Sequence, residues 1–192
     1  MLTAEQAIRT DRLLLRAYTE DDLDAVYAVQ SREDVTRYLY WGPRSREEAR
    51  ESLRLKIASS ALREEGDDLT LAVVLPETGT VIGDVLLIWR SREHRQGEIG
   101  YIFHPDHGGR GYATEAAAVM VRLGFEGLGL HRVFGRLDAR NTASARVLER
   151  LGMRREAHLV QNEFVRGEWT DELVYAVLED EWRDRVAGVS GR

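Results

Sequence analysis

The sequence lacks cysteine, and no apolar run in it approaches the roughly 20 residues that a transmembrane helix requires. The missing cysteine excludes disulfide bonds and a thiol nucleophile. The first twelve residues contain no basic segment followed by an apolar one, so we expect no secretory signal and a cytoplasmic location. Repeats, low-complexity segments and domain linkers are absent as well. These absences favour a soluble domain that is not attached to a membrane.

The composition is that of a globular protein. Hydrophobic residues make up 43% of the 192 positions and charged residues 31%. The length suits one domain with a sizeable core, so we expect a single domain over residues 1–192 with a core of about 10–182. The small, polar segment 186–192 is expected to be flexible. A net charge of −6 argues against general nucleic-acid binding and favours cationic partners.

Hydrophobic periodicity and turn residues predict an alternation of strands and helices. A strand in "DRLLLRAY" is followed by a helix that Thr19 caps and by a second helix that opens with a Ser45/Glu48 capping box and closes at Gly66. Three strands, a helix from about Thr114 to Glu126, a strand, a short helix and two strands follow. This order predicts a mixed α/β (α+β) fold, with a twisted mixed sheet of about six to seven strands and about four helices.

A glycine-rich turn, "GGRGYA", joins the strand "EIGYIFH" to an alanine-rich helix. A helix start presents about four unpaired N–H groups and the positive end of its dipole, and glycines let a ligand approach them, so the turn suits a phosphate. Walker A is excluded because Arg110-Gly111-Tyr112 stands where Gly-Lys-Ser/Thr is required. The Rossmann pattern fails because Thr114 occupies its last glycine position. Alternatively, the glycines serve only to form the turn.

The segments "EIGYIFHPDHGGRGYATEAAAVMVRLGFEGLGLHRV" and "NTASARVLERLGM" together resemble the acetyl-CoA-binding core of the GNAT N-acetyltransferase superfamily. More narrowly, they resemble its Rim-type branch, which acetylates protein N-termini and related amines. The resemblance extends back to "TDRLLLRAYTEDDLDAVYAV" and forward to the final strands. It implies the GNAT fold, acetyl-CoA as cosubstrate and no metal, with direct acetyl transfer to a primary amine, first of all the N-terminal α-amine of a protein or peptide.

Two other functions remain open. In the first alternative, the acceptor is a small amine such as an aminoglycoside, a polyamine or an amino-acid derivative. In the second, the chain is a non-catalytic acyl-CoA sensor. The resemblance also allows a homodimer. Neither a G-x-S-x-G motif nor cysteine is present, which favours direct transfer over an acetyl-enzyme.

The resemblance assigns the cofactor to the glycine turn. The family pattern Gln/Arg-x-x-Gly-x-Gly/Ala matches at Gly111 and Ala113, whereas Gly108 replaces the usual Gln or Arg. Backbone N–H groups would hold the pyrophosphate, and Arg110 would add a charge-assisted bond unless it is simply a solvated loop residue. The cofactor-binding residues implied here are Gly108, Gly109, Arg110, Gly111, Tyr112, Ala113 and Thr114.

In the family, the strand before this turn separates from the next strand, and the acetyl-pantetheine arm lies between them. The resemblance therefore implies that main-chain groups of Tyr101, Ile102 and Phe103 bind the arm and polarise the thioester carbonyl. Glu98 is a candidate general base or water-holding residue, unless it is a solvent-facing acid, and Asp84 is a further acid candidate. An α-amine, with a pKa of about 7.7–8.0, needs only a modest base.

The helix "TASARVLERLG" starts directly after Asn141 and presents Ser144 on its apolar face. Many family members place a tyrosine acid where this chain has Leu148, whereas the Rim-type branch has Asn-x-x-Ser. The resemblance thus implies that Ser144 hydrogen-bonds the coenzyme A sulfur and relays a proton, while Asn141 binds the pantetheine arm. The alternatives are a small packing serine and an ordinary helix cap.

Two further segments carry histidine or aromatic side chains that suggest a ligand. The run His104-Pro-Asp-His107 lacks a closed ligand set, so we expect no metal site there. The aromatic segment "RYLYWGP", residues 37–43, either lines the acceptor pocket or packs between helices.

Overall fold

A computed structural model describes residues 2–3 and 6–190 of the chain. The strands are β1 (Leu2–Thr3), β2 (Ile8–Arg9), β3 (Leu14–Arg16), β4 (Ala61–Leu62), β5 (Asp68–Leu75), β6 (Thr80–Ser91), β7 (Gln96–Phe103), β8 (Arg132–Asp138), β9 (Arg154–Val165) and β10 (Glu168–Leu178). The α-helices are α1 (Leu23–Gln30), α2 (Glu33–Thr36), α3 (Arg46–Ala58), α4 (Tyr112–Arg122), α5 (Thr142–Arg150) and α6 (Glu179–Ser190).

One mixed sheet of eight strands organises the fold, as the element order predicts. Its strand order is β2-β3-β5-β6-β7-β8-β10-β9, and β1 pairs separately with β4. Every neighbouring pair in the large sheet is antiparallel except β7 and β8, which are parallel. A parallel pair needs a crossover connection, and α4 provides it. The sheet has one or two more strands than expected because the short β2 extends one edge.

Helix α4 lies close to the sheet because its buried face carries small side chains. Ala116 and Ala117 are fully buried there beside Met120. They join the main apolar cluster, which includes Val85 and Leu87 of β6. The helix is therefore fixed against the sheet with its first turn next to the end of β7. This placement puts the glycine turn at the carboxyl end of the strand that lines the site.

Helices α1 and α3 pack on the face of the sheet opposite to α4. Ala72 of β5 packs with them, whereas its neighbour Val73 belongs to the cluster beneath α4. Lys56, the only lysine in the sequence, donates a hydrogen bond of 2.8 Å to the Asp84 carboxylate, and the Tyr18 hydroxyl donates one of 3.1 Å to the same oxygen. Asp84 therefore ties α3 to β6, and it does not line the cleft described below.

Helix α3 begins as predicted and ends earlier. The Ser45 N–H donates to the Glu48 carboxylate at 2.7 Å, and the Glu48 N–H donates to the Ser45 hydroxyl at 3.3 Å, which completes the predicted capping box. The helix stops at Ala58 instead of reaching Gly66. The cause is tertiary, because Leu62 enters the core and pairs through β4 with β1.

Helices α2 and α6 are absent from the sequence prediction. Helix α6 has three acids in its first turn, and Trp182 packs against Phe125 with ring centres 5.2 Å apart. It runs to Ser190 through part of the segment 186–192, whose flexibility stays a prediction; residues 191–192 lie outside the described residues. Within the described ranges, no helix is both long and apolar enough to cross a membrane.

Candidate active site

The sheet opens between its two parallel strands. β7 and β8 pair only at Gln96–Arg132, Gly97–Val133 and Glu98–Phe134, although both strands continue beyond these pairs. From Ile99 to Phe103 the backbone of β7 has no strand partner on the side of β8. The separation, which the family resemblance implies for this strand, exposes a row of main-chain donors and acceptors, and Tyr101 and Ile102 line the resulting cleft.

Tyr101 and Ser144 hydrogen-bond each other within this opening. The Tyr101 hydroxyl donates to the Ser144 carbonyl at 2.8 Å, and the Ser144 hydroxyl donates to the Tyr101 oxygen at 2.9 Å. Burial raises the pKa of Tyr101 far above its usual range, despite the opposing effect of the Ser144 hydrogen bond, so the phenol stays protonated at neutral pH. The sequence resemblance assigns a role to both residues, but for Tyr101 it assigns only the main-chain groups. It does not predict the hydrogen bonds of the Tyr101 hydroxyl.

Asn141 caps α5. Its side-chain oxygen accepts the Ser144 N–H at 3.0 Å, and the residue also lines the cleft. Leu148, at the position of the tyrosine acid in the family pattern, is buried on the same helix. A Cβ on Gly135 would come within about 3.0 Å of a Leu148 methyl group, so this glycine lets α5 pack onto β8. The helix thus presents Ser144 to the opening without a phenol at the later position.

The glycine turn leaves a series of backbone N–H groups without protein acceptors. Within residues 2–3 and 6–190, the N–H groups of residues 109–114 make no hydrogen bond, and the buried Thr114 hydroxyl has no partner either. Gly109 and Gly111 have φ values of +73° and +80°, which favour glycine. A Cβ on Gly108 would lie 2.9 Å from the Pro105 carbonyl oxygen. A side chain at position 108 would therefore be strained with this backbone, which fits the glycine that departs from the Gln or Arg of the family pattern.

These features fit the pyrophosphate of coenzyme A. Unpaired amides at the start of an eleven-residue helix supply donors and the positive end of its dipole. Apart from its two chain neighbours, no described residue has an atom within 4 Å of the position where a Gly109 Cβ would stand, so a ligand has room there. The Arg110 side chain is exposed at the same turn, as expected for a residue that reaches a phosphate or solvent.

A cleft of about 1150 Å³ extends from the strand opening towards α2 and the β9–β10 hairpin. Eight acidic residues and five arginines line it, so negative charge prevails. The acids are Glu33, Asp34, Glu98, Asp138, Glu163, Glu168, Asp171 and Glu172. From the aromatic segment 37–43, the residues that line the cleft are Arg37, Tyr38, Leu39 and Tyr40.

Glu98 lies in this cleft between two arginines. Arg90 Nε donates to one carboxylate oxygen at 2.6 Å, and Arg136 Nε donates to the other at 3.2 Å. The side chain is only 12% exposed. Arginines thus engage both carboxylate oxygens, and the part of Glu98 as a base stays a prediction.

Glu172 of β10 is a buried carboxylate that the sequence reasoning missed. It is 4% exposed and accepts a hydrogen bond of 3.1 Å from the Asn162 side chain, while Arg136 lies 3.7 Å from its other oxygen. Burial raises the pKa of Glu172, and the neighbouring Glu163 adds to the rise, against the opposing effects of Arg136 and Asn162. In the structure Thr170 and Glu172 are buried and Asp171 between them is more exposed, whereas the sequence Thr-Asp-Glu, three polar residues in a row, does not indicate which acid faces inward.

The side chains of the histidine run contact each other and Asp106, and the His104 N–H donates to the Ile82 carbonyl at 2.8 Å. His104 Nδ1 accepts the Asp106 N–H at 3.3 Å, which caps a short 3₁₀ turn. Within the described part of the chain, no group of three or more His, Cys, Asp or Glu residues is arranged to hold a metal ion.

The fold and the site define an enzyme that transfers an acyl group from coenzyme A. A family model described as an acetyltransferase (GNAT) domain matches residues 12–154. The chain belongs to the GNAT family of acetyltransferases, and it is an acetyl-CoA-dependent N-acetyltransferase.

Similar proteins cover nearly the whole chain. The uncharacterized N-acetyltransferase YnaD of Bacillus subtilis is 34% identical over 176 residues, which are 91% of this chain and 98% of YnaD. Spermidine N(1)-acetyltransferase of Vibrio cholerae is 26% identical over 175 residues, 91% of this chain and 97% of that protein. A GNAT-family acetyltransferase structure from Bacillus anthracis matches with a TM-score of 0.81 and 31% identity, covering 91% of this chain and 99% of the other.

Glu172→Gln should stabilise the protein at neutral pH. The pKa of Glu172 is raised in the folded state, so its contribution to stability is fully present below the unfolded carboxyl pKa of about 4.3. This contribution is lost as the pH rises through the pKa of Glu172 in the folded protein. Glutamine stays neutral throughout. We expect the midpoint of thermal unfolding to rise by about 2–4 °C at pH 7.5 for each kcal/mol gained, and the gain to shrink towards pH 4.

The matched control is Glu168→Gln, which removes an acid whose side chain is 60% exposed on the same hairpin. It should show no gain that depends on pH in this way. A Glu172→Gln gain that grows as the pH falls would contradict the raised pKa.

Proposed function

We propose that the acceptor is a small primary amine that carries a second positive charge, such as a polyamine. The observation that carries this proposal is the excess of carboxylates over arginines in the cleft, with Glu163 and Glu172 adjoining. A partly buried carboxylate attracts an ammonium group more strongly than an exposed one does. The relative named spermidine N(1)-acetyltransferase, at 26% identity, supports the same acceptor class.

An alkyl ammonium must lose a proton before its nitrogen can attack the thioester. Its pKa, near 10.4 for a lysine-like amine, means that a proton acceptor is needed at neutral pH. Glu172 has a raised pKa and is therefore a stronger proton acceptor than an ordinary carboxylate. We assign it this role and give Glu163 the role of holding the cation. Glu98, with both oxygens paired, is the alternative base.

On the donor side, acetyl-CoA supplies the acetyl group as a thioester. The N–H groups of residues 109–114 would hold its pyrophosphate with Arg110, and the unpaired backbone of residues 101–103 would hold the pantetheine arm with Asn141. Ser144 would hydrogen-bond the sulfur. In this structure the Ser144 hydroxyl donates to the Tyr101 oxygen and the Tyr101 hydroxyl donates to the Ser144 carbonyl, so Ser144 would rotate to reach the sulfur, and Tyr101, whose pKa is raised, would position it and keep its own proton.

A protein or peptide N-terminus is the second candidate acceptor. The Asn141-x-x-Ser144 pair, which the sequence shares with the Rim-type branch, favours it, and the fold presents both residues at the opening. An α-amine is partly neutral at pH 7 and would therefore depend less on Glu172 as a proton acceptor.

The single-domain arrangement and the homodimer stay predictions.

The charge preference is tested by acceptors of matched length. We expect kcat/KM for 1,4-diaminobutane or spermidine to exceed that for butylamine by about tenfold, because one ion pair of about 1.4 kcal/mol gives that ratio. The advantage should shrink with added salt, because salt screens the attraction. Turnover is followed by release of coenzyme A, with N-terminal peptides in the same series.

The variant Glu163→Gln should reduce the diamine-to-butylamine ratio while leaving butylamine turnover nearly unchanged. Equal kcat/KM for the diamine and butylamine would contradict the proposed acceptor class. A higher kcat/KM for the peptides would support the N-terminal candidate instead.

Ser144→Ala should lower kcat by at least about tenfold and change the Kd of acetyl-CoA by less than about threefold, because a group that assists a leaving thiolate acts mainly in the transition state. Tyr101→Phe should give a smaller loss, since Ser144 keeps its own hydroxyl. Steady-state kinetics and calorimetric titration with acetyl-CoA measure the two quantities.

Thr142→Ala serves as the matched control, because Thr142 is exposed in the first turn of the same helix. It should behave like the unaltered protein. An unchanged kcat for Ser144→Ala rules out the role assigned to its hydroxyl.

A further inference from the structure

Arg12 and Glu115 form an ion pair beside the glycine turn, although 103 positions separate them in the chain. Arg12 Nε and Nη2 lie 2.7 and 2.6 Å from one carboxylate oxygen of Glu115. The other oxygen accepts the Thr10 hydroxyl at 2.6 Å and the backbone N–H of Arg12 at 2.9 Å. Although burial alone would raise it, these hydrogen bonds hold the pKa of Glu115 below its usual range. The carboxylate therefore holds the arginine from two directions.

The remaining nitrogen of Arg12 contacts the turn itself. Nη1 donates to the Arg110 carbonyl at 2.8 Å. The guanidinium also lies 4.9 Å from the centre of the Tyr112 ring, and Nη2 would be 3.4 Å from a Cβ on Gly111. One side chain thus connects the segment before β3, the first turn of α4 and the backbone of the glycine turn.

The contact with the Arg110 carbonyl fixes the direction of the next N–H group. In a trans peptide unit the C=O and N–H bonds point in opposite directions. Drawing the Arg110 carbonyl towards Arg12 therefore turns the Gly111 N–H away from it, and this N–H is one of the amides without an acceptor in the described residues. The φ of +80° at Gly111 belongs to the same arrangement.

We propose that Arg12, held by Glu115, is a positioning residue that orients the amides of the pyrophosphate turn. All three guanidinium nitrogens already have protein acceptors, so the side chain acts through the turn more than as a phosphate ligand. Glu115 distinguishes positioning from direct phosphate binding better than Arg12 does. A carboxylate in the first turn of α4 repels a bound pyrophosphate, so its contribution to cofactor binding has to come from the position it gives Arg12.

This inference rests on the use of acetyl-CoA and is independent of which amine accepts the acetyl group. The test is the Kd of acetyl-CoA, measured by calorimetry without any acceptor. We expect Arg12→Lys, which keeps the charge but loses the planar fork, to weaken binding by about tenfold. Glu115→Gln should weaken it by a similar factor. The double variant should be little worse than either single one, because both remove the same contact.

Arg122→Gln is the matched control, since Arg122 is an exposed arginine in the last turn of α4, roughly 15 Å along the axis from its start. It should leave the Kd unchanged. Tighter binding by Glu115→Gln would overturn the proposal, because it would show that the carboxylate acts only by its charge. A Kd for Arg12→Lys equal to that of the unaltered protein would overturn it as well.

A donor without the pyrophosphate separates positioning from a general loss of structure. The acceptor in this test is the one with the highest kcat/KM in the amine and peptide series described above. With S-acetylpantetheine as donor, kcat/KM for this acceptor should be the same for Arg12→Lys, Glu115→Gln and the unaltered protein. Losses that are equal with both donors would show that the variants damage the fold as a whole, and they would overturn the proposal.

Discussion

The separation of β7 from β8 is the constraint on which the site depends. The two strands are the parallel pair of the sheet, and their pairing ends after Glu98 and Phe134. Beyond that point the backbone of β7 needs partners other than a strand, because unpaired main-chain groups are costly when buried. The Tyr101–Ser144 hydrogen bonds link the two sides, and we propose the pantetheine arm of acetyl-CoA as the partner for the remaining groups.

The helices that follow the two strands bring the other parts of the site to this opening. Alanines hold α4 close to the sheet, so its unpaired amides stand at the end of β7. Helix α5 leaves β8 with Asn141 as its cap and presents Ser144. Burying Glu172 in the cleft costs stability at neutral pH, a common feature of sites that need a perturbed carboxyl group. In the proposed assignment, the donor and acceptor sides meet where the sheet is open.

Local features of the fold and of the site could be predicted from the sequence, and contacts between distant segments could not. The Ser45/Glu48 capping box and the glycine turn involve residues within one turn of the chain. In contrast, Tyr101 and Ser144 are 43 positions apart, and Arg12 and Glu115 are 103. Only the folded chain brings these pairs together. The clash of a Gly108 Cβ with the Pro105 carbonyl likewise depends on backbone geometry that composition does not encode.

The most direct measurement is a crystal structure of the chain with acetyl-CoA bound. We expect the pyrophosphate oxygens to lie about 3 Å from backbone nitrogens of residues 109–114, and the thioester to lie between β7 and β8 next to the Ser144 hydroxyl. The Arg12–Glu115 pair should be unchanged. A cofactor bound elsewhere, or one whose pyrophosphate contacts side chains while those amides stay unpaired, would contradict this arrangement.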